Sequence, residues 1–257
     1  MSKLVLLDSV GARGRNLAVD VMALREHLVS LGYTWAAGPS TVGPKLTAAI
    51  RLFQSIVHGI DVVGASSRID GRVDPDGNTL RWLNAANAPR WVRMTPSAPG
   101  LWNHDATQLH DLHDFGTSWL DTFLVGAGAE YQLWRTEADR QRSAQPGAGT
   151  KPPAPLTVND ASLPEGGNTP AHVGHETGLV ADLRLPNRDG SAGGISVFTP
   201  TYDRDAMRAQ LQALRSQPNF DVAFLNDKVL ISEGLCRPLG GHDDHVHVEI
   251  EPPRLQP

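Results

Sequence analysis

Ten histidines occur in this chain, and five of them fall into two tight groups. The first group is His172-Val-Gly-His175-Glu-Thr-Gly-Leu-Val-Ala-Asp182, and the second is His242-Asp-Asp-His245-Val-His247. From His245 to Glu251 polar and apolar residues alternate strictly, which predicts a strand. On a strand His245, His247 and Glu249 share one face, while Val246, Val248 and Ile250 share the face that belongs in a core. Two imidazoles ~6.6 Å apart along one face can address a single ion and the group beside it. Zinc suits such a set. It accepts imidazole nitrogen and carboxylate oxygen, and a catalytic site keeps three protein ligands plus water. His175, Asp182 and His247 supply three ligands of these types, which leaves His245 free to act on the water or on a substrate. Bound zinc lowers the pKa of its water towards ~7 and polarises a carbonyl, so an amide can be cut without a serine or cysteine nucleophile. Ligating imidazoles must be neutral, so metal affinity is expected to fall below roughly pH 6.

Other arrangements compete with this one. His-x-His alone is a weak signal, and a closed structural zinc with His245 as fourth ligand uses the same residues. A metal could instead lie at His104, His110 and His113, since His110 and His113 are one helical turn apart. That cluster alternates with Asp105, Asp111 and Asp114, and a solvated helix face explains it more simply. Asp70, Asp74 and Asp76 hint at calcium but miss the EF-hand spacing and read better as turn chemistry. No Gly-x-Ser-x-Gly elbow is present, which argues against a serine hydrolase.

The elements that must position these residues can be read from periodicity. Val21, Leu24, Leu28 and Leu31 fall at helical spacing, with Gly32 as a stop. A second helix begins near Pro44 and buries Leu46, Ile50 and Phe53. After the turn-rich stretch from Asp70 to Gly77 comes a short helix holding Leu80 and Leu83. Ala85 to Pro99 reads as a loose linker. Leu109 to Leu124 is expected to be helical, and Ser143 to Pro155 a surface loop. Strands are expected at Gly178 to Leu185, Asp221 to Leu225, Lys228 to Ser232 and His245 to Glu251, with a helix from Asp203 to Ser216. The expected fold class is α+β. It consists of a small N-terminal three-helix bundle (1–88), a linker (89–100), and a second domain (101–257) with a small antiparallel sheet and flanking helices.

Bulk properties narrow the function. The formal net charge of -5 disfavours general nucleic-acid binding. Cys236 is the only cysteine, so no intrachain disulfide can form. No stretch approaches the ~20 apolar residues of a membrane span. The first residues lack the apolar run of a secretory signal, so no ordinary export address is expected.

Taken together, the His and Asp motifs resemble the penicillin-insensitive murein endopeptidases, within the LAS group of zinc peptidases. The group's pattern of His, six residues, Asp and a distant His-x-His corresponds to His175, Asp182, His245 and His247. His172 and His242, each three residues before a site histidine, match further histidines of the family. The stretch Leu156 to Gly167 resembles the family's approach to the site, and His175-Glu-Thr-Gly-Leu resembles its His-Gln-Thr-Gly-Leu. The similarity covers about Leu156 to Pro252. It implies a LAS-type catalytic domain in which His175, Asp182 and His247 bind Zn2+. His245 would be general base or oxyanion partner, with His172 and His242 lining the cleft and assisting the transition state. The segment Asn187 to Val197 departs from the family, being short and glycine-rich. Separately, Ser9-Val-Gly11, Asn16, Asp20-Val21, Leu31-Gly32, Ala49-Ile50, Phe53-Gln54 and Asp70-Gly-Arg-Val-Asp74 resemble the small helical peptidoglycan-binding domain.

These resemblances imply a zinc peptidase that cuts D-alanyl–diaminopimelate cross-links in peptidoglycan. A D,D- or L,D-carboxypeptidase on stem peptides and a non-catalytic wall-binding or docking protein are the alternatives. The expected partner is peptidoglycan, with no nucleic acid and no membrane span. An enzyme made in the cytoplasm without a leader would reach the periplasmic wall by phage lysis, as an endolysin, or by a secretion system, as an antibacterial effector. The latter route implies a secretion-system component and an immunity protein as further partners. The Ser9-Val-Gly11 opening resembles modules of such effectors.

Overall fold

The computed structural model describes residues 3–108, 112–144, 151–169 and 174–257. It is mixed α/β, compatible with the expected α+β class.

In the first part of the chain, β1 (Val10–Gly11) precedes α1 (Ala18–Ser30) and α2 (Pro44–Val57). Pro44 opens α2 as expected, because a first-turn position needs no backbone N–H. Leu46, Ile50 and Phe53 are buried along one face of α2. β2 (Arg72–Val73) pairs with β1, and α3 (Asn78–Leu83) follows. Gln54 on α2 ties the intervening turn down. Its amide donates to Asp70 and to the carbonyl of Arg72, and its side-chain oxygen accepts from the Gly71 N–H.

The segment expected as a loose linker is ordered. It carries β3 (Trp91–Arg93) and β4 (Ser97–Ala98), and Trp91 and Met94 are buried. The Trp91 N–H donates to the carbonyl of Leu31, and its indole N–H donates to that of Pro164, 2.8 Å away. Its ring packs against Tyr33 and Trp35. Ala, Pro and Asn composition suggested looseness, but one large aromatic with partners on both sides outweighs it.

β5 (Leu101–Asn103) and β6 (Phe115–Thr117) lead into the long helix α4 (Ser118–Ser143). The helix expected from Leu109 therefore starts at Ser118. Residues 109–111 lie outside the described residues, but Phe115–Thr117 pairs with β3, and the Thr117 hydroxyl caps α4 by accepting from the Leu120 N–H. β7 (Leu156–Asp160), β8 (Val180–Arg184), α5 (Arg204–Ser216) and β9 (Phe220–Phe224) follow. Lys228–Ser232, expected as a strand, forms the short helix α6. Asp227 decides this, because its carboxylate caps the turn by accepting from the N–H groups of Val229 and Leu230. The last strand is β10 (His245–Ile250).

The main sheet has six strands in the order β4-β5-β7-β8-β10-β9. It is mixed, not purely antiparallel, because β5 and β7 run parallel. The buried apolar residues form one connected core from α1 and α2, through Trp91, to Val246, Val248 and Ile250 of β10. No helix among the described residues is long and apolar enough to cross a membrane.

Candidate metal centre

The alternation of β10 works as expected. Val246, Val248 and Ile250 are buried in the core, and His245, His247 and Glu249 line an open cleft of about 1210 Å³. β10 pairs antiparallel with β8 in a register that sets His247 opposite Asp182 and His245 opposite Arg184. Cross-strand partners on one face stand close enough for their side chains to meet. His247 Nδ1 lies 3.0 Å from Asp182 Oδ1.

His175 reaches the same carboxylate from a loop. Its Nε2 is 3.3 Å from Asp182 Oδ1. The loop is fixed from several sides. His175 Nδ1 donates to the carbonyl of Ala161 at 3.0 Å, and the hydroxyl of Ser162 donates to the carbonyl of His175. The carbonyl of Gly178 accepts from both the N–H and the hydroxyl of Thr117. Gly178 itself has φ +66, and a β-carbon there would meet the Gly116 backbone at 2.8 Å, so only glycine fits.

The structure therefore brings His175, Asp182 and His247 together. All three are buried, and one ligand atom from each lies within 4.8 Å of the others. These donors are close enough to hold a metal ion. Two imidazole nitrogens and a carboxylate oxygen converge, and the second nitrogen of His175 is held by a backbone carbonyl, as ligating histidines usually are. His247 Nε2 is likewise held, 3.2 Å from Glu249. Burial opposes charge on His247, but Asp182 and Glu249 outweigh it and raise its pKa to about 9 in the metal-free chain.

His245 stands beside this group without joining it. Its Nε2 is 3.9 Å from Asp182 Oδ2, and its Nδ1 is 2.8 Å from Asp244. The His242 ring lies 4.7 Å from that of His245. Burial holds the His242 pKa below the ordinary histidine value, against the pull of the Gly240 carbonyl. His172 lies outside the described residues.

No protein-family model matches this chain, and no curated protein matches it in sequence.

Of the rival placements, the one around His104 and His113 departs from expectation and the one at Asp70 and Asp74 follows it. His104, Asp105, His113 and Asp114 do not form a solvated helix face, since Asp105 and Asp114 are buried. His113 groups instead with Asp105 and Asp160, again with ligand-type atoms within 4.8 Å. His110 lies outside the described residues. Asp70 and Asp74 serve their turn, binding the Arg72 backbone N–H and the Arg72 guanidinium respectively.

Of two further cleft residues, Asp61 carried no signal in the sequence, and Asp160 fell only within the stretch that resembles the family's approach to the site. Asp160 is set opposite Asp182 by the pairing of β7 with β8. Asp61 comes from the loop after α2 and lines the cleft beside Gly174 and His175. Its carboxyl pKa is raised, by burial first and then by Glu249, against a pull from His247.

Proposed function

We propose that this chain is a zinc-dependent peptidoglycan peptidase cutting D-alanyl–diaminopimelate cross-links. The observation that carries the reading is the buried His175, Asp182 and His247 group at the floor of an open cleft, with His245 next to it and outside the ligand set. A closed structural site would use the fourth imidazole as ligand. In this reading residues 1–88 are the peptidoglycan-binding-like helical unit and residues 101–257 the LAS-type peptidase.

His175 Nε2, Asp182 and His247 Nδ1 would hold the ion. When bound, zinc would lower the pKa of a coordinated water and polarise the scissile carbonyl. His245 Nε2 faces the same space, and Asp244 at Nδ1 orients the ring. It can accept the proton of the attacking water and return it to the leaving amine nitrogen. His242, packed on His245, lines the wall of the cleft, and burial favours its neutral form.

The test uses purified full-length chain with zinc, a soluble cross-linked muropeptide dimer and the corresponding monomer. Release of monomers from the dimer, lost in Asp182→Ala together with the zinc, is expected. Trimming of monomers with dimers left intact would replace the endopeptidase by a carboxypeptidase. No hydrolysis of either substrate would reject the reading.

A further inference from the structure

A second group of metal-type donors lies outside the His175, Asp182 and His247 set. Asp105, His113 and Asp160 each offer one ligand atom, and these atoms lie within 4.8 Å of one another. Three separate stretches of chain deliver them. β5 and β7 run parallel with Asn103 opposite Val158, and the His104 N–H donates to the Val158 carbonyl. Each strand then runs on by two residues, to Asp105 in the turn Asp105–Thr107 and to Asp160 at the end of β7. The carbonyl of His113 accepts from the Ala161 N–H, which draws the third donor to the same place.

The geometry suits an ion between these groups. His113 Nδ1 is 3.9 Å from Asp160 Oδ1. That is too long for a hydrogen bond, but two ligands of one ion, each bonded at about 2.0–2.2 Å, can stand this far apart. Asp160 is held from behind. Its Oδ2 accepts from the Asn159 amide, and Asn159 Oδ1 in turn accepts from Arg184 Nε at 2.5 Å. The guanidinium in this wall thus orients Asp160 through Asn159. Asp114, next to His113, stays outside the group, because its carboxylate pairs with Arg93.

A separate observation points to a ligand here. Asn103 is fully buried, and its Oδ1 accepts from the Ala106 N–H, which lays the side chain against the turn that carries Asp105. Its Nδ2 meets no acceptor among the described residues. A buried N–H without an acceptor costs free energy, and an oxygen ligand of a bound ion would supply one.

We propose that Asp105, His113 and Asp160 form a second divalent-cation site, distinct from the His175 group. One imidazole and two carboxylates suit a first-row ion such as Zn2+ or Mn2+. Asp160 lies opposite Asp182 on the neighbouring strand and lines the same cleft. The second ion therefore stands beside the first group in the sheet and fastens the turn after β5 to β7.

The test titrates Zn2+ alone into the metal-free full-length chain, so its outcome is independent of any peptidase activity. The wild type should bind two ions, and His113→Ala, Asp105→Asn and His175→Ala one each. In crystals of the zinc-loaded wild type, anomalous scattering should place one ion among Asp105, His113 and Asp160. If His113→Ala and Asp105→Asn lose both ions by misfolding, the scattering decides. A wild type that binds no ion, a second ion located elsewhere, or an ion count unchanged in both variants overturns the inference. A single ion lost in those variants and kept in His175→Ala would leave this site standing and remove the metal from the His175 group.

Discussion

The ring of His247 is held between two carboxylates, and this fixes how metal binding must depend on pH. Asp182 stands 3.0 Å from Nδ1 and Glu249 3.2 Å from Nε2. Burial disfavours the imidazolium, but the two carboxylates prevail and raise the pKa from 6.5 to about 9. An ion binds the neutral ring, so at neutral pH it must first displace a proton. The proton stays on below about 9. Zinc affinity should therefore be greatest above that pH and fall about tenfold for each unit below it. Between pH 9 and pH 7 the loss is about 50-fold. This window lies well above the pH 6 that unperturbed imidazoles would give. The sign for stability is opposite in the metal-free chain. Stability from the protonated pair is fully present below the unfolded value near 6.5 and is lost as pH rises through about 9. The assay is chelator competition from about pH 6 to about pH 10, with proton release measured calorimetrically in buffers of different ionisation enthalpy. Glu249→Gln removes one of the two carboxylates and should move the window to lower pH. Affinity that is flat between pH 9 and pH 7 in the wild type, or an unmoved window in the variant, would refute the reasoning.

Three further outcomes are expected. His245→Ala should keep its zinc, because His245 lies outside the three-residue group, and should lose dimer hydrolysis by about 10²–10⁴-fold; metal analysis beside kinetics checks this, and loss of zinc would make His245 a ligand. Removal of residues 1–90 should weaken pelleting with sacculi and also reduce turnover of a small soluble dimer, because Val63 anchors Glu176 and Trp82 packs on Trp119 at 5.8 Å. Unchanged soluble turnover would show that the helical part acts only as a tether. Gly178→Ala should destabilise the chain by about 3 kcal/mol or more, since φ is +66 and the new methyl meets Gly116, Thr117 and Trp91 at 2.8 Å. Calorimetry should show a fall in Tm of roughly 6 °C or more.

Much of the metal-binding group was legible in the sequence because strand periodicity is local. The alternation from His245 to Ile250 by itself separates the cleft face from the core face, and the structure keeps that division. Helices with strong start signals were legible for the same reason, as Pro44 at the head of α2 and Asp203 at the head of α5 illustrate. Local apolar content failed at Lys228–Ser232, where a single capping carboxylate from Asp227 turned an apolar run into a helix. It failed again at Trp91, whose burial comes from Leu31, Tyr33 and Pro164, residues brought from both sides of the chain. Only the tertiary structure could set Asp61 beside Gly174, because Asp61 carries no local pattern that points to the cleft, and strand pairing is what sets Asp160 opposite Asp182. Residue type and spacing determined which side chains could bind a metal. Strand register and the packing of α2 against the His175 loop decided which carboxylates surround it, since long-range contacts are set by core packing and leave no period in the sequence.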